Sequence, residues 1–135
     1  MRLSLNITNY SWPGGTEALG SDLARMVRAA DAGEIDTVWV ADHLLQADPT
    51  AIPDSEMLEA YTALGFLTAH TERVRLGTMV SAVTFRAPSL LIKEVTTLDV
   101  LSGGRAWLGL GAGYHEDEAR AMDLWLLTKP GNRTG

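Results

Sequence analysis

Cysteine is absent from the chain, which excludes disulfides, thiolate metal sites and cysteine nucleophiles, and fits a reducing compartment. Lysine and arginine form no cluster, and the formal net charge is −6. Both features argue against a nucleic-acid groove or an anionic membrane surface as partner. No apolar run reaches the length of a membrane span, and MRLSLNITNY lacks the apolar run and small-residue cleavage site of a secretion signal. The expected setting is therefore the cytoplasm, and the expected ligand a small molecule. Neither a G-x-x-x-x-G-K-[ST] phosphate loop nor the G-x-G-x-x-G of dinucleotide folds occurs. The three histidines are scattered, too poorly spaced for a histidine/carboxylate metal site.

What is present has the profile of one globular domain: 135 residues, 46% of them hydrophobic and 21% charged. Leu3 to Ile7 alternate with polar neighbours and predict a first strand, broken by Asn9 to Gly15. Thr16 is the expected cap of a helix whose apolar face runs Leu19, Leu23, Met26, Val27 and Ala30 before Gly33 stops it. Thr37 to Ala41 is continuously apolar and β-branched, as buried parallel strands are, and ends in Asp42 and His43. Gln46 to Ser55 reads as an irregular loop. Met57 to His70 reads as a helix packed on both sides, behind an Asp54/Ser55 cap.

Val74 to Val80 predicts a third strand and Ser81 to Ala87 a loop. A helix then opens at Pro88 and ends at Ser102-Gly103-Gly104. A fourth strand, Ala106 to Leu110, runs into a turn with glycines at 109, 111 and 113, and an acidic helix starts at Glu116. The strand starts at Leu3, Thr37, Val74 and Ala106 alternate with helices, which calls for right-handed crossovers and a parallel sheet. All four strand-to-helix loops then open on one face, where Tyr10/Trp12, Asp42/His43, Val80/Ser81 and Gly111 to Glu116 can meet one ligand. Glycine in such a turn accepts positive φ and admits a flat or anionic ligand close to the backbone. A tight strand-to-helix connection with no ligand is the alternative reading of the same glycines.

Single residues carry two readings each. His43, beside Asp42 at a strand end, is the candidate for managing a proton near neutral pH, against a loop histidine with no role. His115 reads as a solvated cap of the acidic helix. Tyr114 and Trp12 are able to stack on a ring or to serve as ordinary packing. Glu116, Asp117 and Glu118 favour the helix amino terminus and are expected to do no more.

Three blocks in order, VWVADH, LGTMVSAVTFRAP and SGGRAWLGLGAGYHEDE, resemble the amino-terminal half of the luciferase-like monooxygenase superfamily, and its F420- and FMN-dependent oxidoreductases in particular. The resemblance runs from about Arg2 to about Met122. It implies an α/β fold, a partial TIM (β/α)8 barrel of about four parallel units, and a flavin or coenzyme F420 held at the strand carboxyl ends. It implies cofactor contacts from Asp42, His43, Met79, Val80, Gly111, Ala112, Gly113 and Tyr114, with His43 as the catalytic group. Met79-Val80 falls where many members have a non-proline cis peptide behind the ring. Tyr114 replaces the glutamate acid of some sugar-phosphate dehydrogenases, a departure that speaks against that substrate.

A closed barrel takes eight strands and roughly 250 residues, so residues 1–122 are expected to form half of one. Residues 123–135 are expected to be a divergent, unstructured tail, such as a truncation, a frameshift or a fragment would leave. The open first and fourth strands invite self-association or a complementary half-barrel chain. Two other readings stay open: a non-catalytic half-barrel that binds a flavin or partner chain, and a different small α/β fold whose glycine turn binds phosphate.

Overall fold

Four strands form one parallel sheet in the order in which the chain makes them. In the computed structural model, which describes residues 1–52 and 54–124, these are β1 (Leu3–Ile7), β2 (Ile35–Val40), β3 (Arg75–Thr78) and β5 (Ala106–Trp107). Helices α1 (Gly15–Ala32), α2 (Ala60–Thr68) and α3 (Pro88–Ser102) make the crossovers. A second pair of parallel strands, β4 (Ser81–Ala82) and β6 (Leu110–Gly111), lies beyond the ends of β3 and β5, and α4 (Glu116–Ala121) follows. This is the architecture of a (β/α) barrel taken through four units.

The core lies between sheet and helices. Val38, Val40 and Leu76 from the strands, Leu23 and Val27 from α1, and Leu64 and Leu67 from α2 are essentially excluded from solvent. Their alternation along β2 turns Trp39 to the other face, as the period of two requires. There Asn6, Trp39, Gly77 and Trp107 share one register row. The indoles of Trp39 and Trp107 meet at 6.4 Å, and the Arg75 guanidinium lies 5.3 Å from the Trp107 ring centroid.

Gly77 sits under this pair. A Cβ there would lie 2.7 Å from the Trp107 carbonyl oxygen and 2.9 Å from Trp39 Cζ3. Backbone cannot yield as a side-chain tip can, so Gly77→Ala is expected to cost about 1–3 kcal/mol, the range for overpacking. A urea denaturation midpoint close to that of the parent would refute it.

Several boundaries differ from the sequence expectations. Helix α1 begins at Gly15 with Gly14 as its cap, and Thr16 instead donates its hydroxyl to Glu56 Oε1. Helix α2 begins at Ala60, not Met57. The reason is Glu59, whose carboxylate accepts the N–H groups of Tyr61 and Thr62 and takes the capping place expected of Asp54/Ser55. The third strand stops at Thr78, and the Met79–Val80 peptide bond is cis, at the position where the resemblance puts such a bond. The fourth strand is divided, because the chain leaves β3 at Trp107 and pairs again with β4 from Leu110. Pro88 at the start of α3 and left-handed Gly103 at its end stand where expected. Of the tail, residues 125–135 lie outside the described residues.

Candidate functional site

At the carboxyl ends of β2, β3 and β6 lies a cavity of about 400 Å³, within the range of ligand sites. Asp42, His43, Met79, Val80, Gly111, Ala112, Gly113 and Tyr114 all line it, joined by Ala82 and Phe85. Three successive strand ends thus bring all eight residues singled out in the sequence to one place. Most of the lining is apolar or bare backbone. A Cβ at Gly111 would lie 2.5 Å from Val80 Cγ2, so a larger residue there would push the Val80 side chain aside.

Among the described residues, His43 is hydrogen-bonded from one side only. Its Nδ1 lies 2.8 Å from Glu118 Oε2, and the edges of three rings surround it: Tyr114 at 5.7 Å, His115 at 6.1 Å and Phe85 at 6.4 Å between centroids. The other Glu118 oxygen accepts the backbone N–H groups of Leu44 and Leu45. Burial pushes the Glu118 carboxyl up, but the hydrogen bonds from His43, Leu44 and Leu45 outweigh it and hold the group below the usual carboxylate range. His115 caps α4, accepting the Glu118 N–H at its Nδ1.

Asp42 stands next to His43 but serves the protein. Its carboxylate accepts both terminal nitrogens of Arg86, at 2.7 and 2.9 Å, and the N–H of Ala82 at 3.1 Å. Glu59 approaches the same guanidinium at 3.2 Å and Glu94 at 3.3 Å, while Arg86 also covers the Tyr61 ring. The Tyr61 hydroxyl meets Ser81 Oγ at 2.7 Å, and Ser81 meets Thr78 at 2.6 Å. Asp42 thus lines the cavity while its carboxylate is engaged by Arg86 and the Ala82 N–H, which ties the β4 segment to the end of β2.

Three expectations change. Glu118, expected to do no more than favour the helix amino terminus, has a side chain 1% exposed and engaged with His43, while Glu116 and Asp117 are exposed. Trp12 does not reach the cavity; its Nε1 donates to the Asn9 carbonyl, and the ring lines a surface depression with Met26 of α1. Tyr10 is buried in the core, where loss of solvent, with Glu59 nearby, pushes its phenol up to about 12. Arg86 escaped the sequence reading altogether.

Among the described residues no group of three or more His, Cys, Asp or Glu is placed to hold a metal ion. No helix among them is long and apolar enough to cross a membrane.

Parallel β/α units with a cavity at the strand carboxyl ends define a segment of a (β/α) barrel, the cavity lying at the end where such barrels carry their ligand sites. The chain belongs to the luciferase-like monooxygenase family, whose model matches residues 1–134. An F420-dependent glucose-6-phosphate dehydrogenase of Kineococcus radiotolerans is 38% identical over 88 residues, covering 64% of this chain and 25% of that protein. A monooxygenase from Streptomyces bottropensis, 25% identical, superimposes with a TM-score of 0.75 over 91% of this chain and 36% of its own. The oxygenating constituent of 3,6-diketocamphane monooxygenase from Pseudomonas putida, solved with FMN, shares the fold at 19% identity. Its TM-score is 0.73, over 90% of this chain and 32% of its own. The chain spans 22–41% of the length of the curated relatives it matches.

Proposed function

We propose that the cavity at the ends of β2, β3 and β6 receives the ring of coenzyme F420 or FMN, and that the whole protein is an oxidoreductase in which His43 handles the proton accompanying hydride transfer. The observation that carries this reading is the meeting of His43, Met79–Val80 and Gly111–Tyr114 around one mostly apolar cavity. A flat ring fits such residues. Met79 and Val80 offer exposed apolar surface, and Gly111 and Gly113 carry no side chain to obstruct a ring edge. When bound, the ring supplies the hydride acceptor or donor.

The chain's own contributions follow from that placement. Met79, Val80 and Phe85 exclude water from one side of the guest, and His43 presents an imidazole at its edge. Tyr114, 74% exposed and edge-on to His43, stands at the rim of the site. Relatives that use F420 and relatives solved with FMN support the choice of ring class.

A second reading, binding without turnover, draws on the exposed side chains of Trp107, Leu110 and Val80 and on the edge of β5, unpaired among the described residues. Absorbance and fluorescence titration of the purified chain with F420 and with FMN tests both. Saturable binding of either ring, weakened at least tenfold by Met79→Asp, is expected. Binding with substrate-driven ring reduction supports the oxidoreductase; binding without it supports the second reading; failure of both rings to bind overturns the proposal.

A further inference from the structure

Glu118 and His43 stand 75 positions apart in sequence yet are joined at 2.8 Å, and the way the carboxylate is shared fixes more than the position of the ring. One oxygen, Oε1, receives two backbone donors, the N–H groups of Leu44 and Leu45. The other, Oε2, faces Nδ1 of His43. A carboxylate held below its usual range is ionised at neutral pH and accepts only, so Nδ1 must carry the proton. Among the described residues Nε2 has no hydrogen-bond partner, and His43 lines the cavity.

We propose that Glu118 is a positioning residue: it sets the tautomer of His43 so that the neutral imidazole presents Nε2 as a bare proton acceptor to the site. Resting on the oxidoreductase reading above, the pair keeps a proton acceptor of fixed direction facing the cavity.

One substitution separates tautomer control from mere scaffolding. In Glu118→Gln the side-chain oxygen must stay on the Leu44 and Leu45 N–H groups, because turning the amide would set its NH₂ against two donors. The amide NH₂ then faces Nδ1, which must become the acceptor, and the proton moves to Nε2. The variant keeps size and backbone contacts and inverts the tautomer.

The test is ¹⁵N–¹H multiple-bond NMR of the histidine rings in the full chain without cofactor, with His43 assigned by loss of its signals in His43→Asn. The wild-type protein is expected to show Nδ1–H at His43, and Glu118→Gln to show Nε2–H with unchanged circular dichroism. Wild-type His43 protonated at Nε2, or a folded Glu118→Gln variant with the wild-type tautomer, overturns the proposal. If Glu118→Gln does not fold, the wild-type spectrum alone decides. In turnover, Glu118→Gln is expected to lower kcat by roughly 10²-fold or more with KM within a few-fold. A proportional rise in KM at constant kcat would count against it. Failure of F420 and FMN to bind the wild-type protein would sink the oxidoreductase reading while leaving the tautomer result standing.

Discussion

His43→Asn is expected to reduce cofactor-dependent turnover by about 10²–10⁴-fold, the usual worth of a positioned acid–base group, while ring affinity changes by no more than a few-fold. Asparagine suits the test because its amide nitrogen falls near the place of Nδ1. The Glu118 carboxylate keeps a donor there, its two backbone N–H partners remain, and only the Nε2 side of the imidazole is lost. Stopped-flow ring reduction beside equilibrium titration reads the two quantities separately. Equal losses in binding and turnover would show that His43 is part of the wall of the cavity and not of its chemistry.

Arg86→Met is expected to destabilise the chain by about 3–5 kcal/mol, the cost of removing one partner from a buried ion pair. The Arg86 side chain is 8% exposed and that of Asp42 is 1% exposed. Without the guanidinium, Asp42 keeps only the Ala82 N–H, and Glu59 and Glu94 face it as uncompensated like charges. Against a total stability of about 5–15 kcal/mol for an ordinary domain, such a loss is large. Thermal and urea unfolding measure it. Combining Arg86→Met with Asp42→Asn should recover a substantial part, since the buried charge is then gone as well. A single variant as stable as the parent would show that the three carboxylates are solvated enough to do without the cation.

The two predictions divide the sequence pair Asp42-His43 into unlike roles. Both line the cavity, but the Asp42 carboxylate is engaged by Arg86 and Ala82 while the His43 imidazole is held by Glu118.

Much of the scaffold was legible because its causes are local. The β-branched run before Asp42, the amphipathic period of Leu19 to Ala30, the proline opening α3 and the glycine closing it each act within a few residues. The site was legible by resemblance, on three motifs that the fold brings to one cavity. The remainder was hidden because its causes are distant. Glu118 finds His43 across 75 positions and Arg86 finds Asp42 across 44. Nothing near Glu118 separates it from Glu116 and Asp117 except that α4 turns it inward with Ala119. The divided fourth strand likewise follows from its neighbour, since the turn after β3 sets where β6 can pair.

The indole pair over Gly77 gives the molecule an optical handle of its own. Trp107 is 42% exposed on the sheet face opposite Val38 and Val40, so its emission registers the polarity of whatever medium bathes that face. A neighbouring barrel unit, a second protein or a detergent arriving there would shift the spectrum to the blue. Near-ultraviolet dichroism of the Trp39–Trp107 couple would report in the same sample whether the sheet had kept its twist.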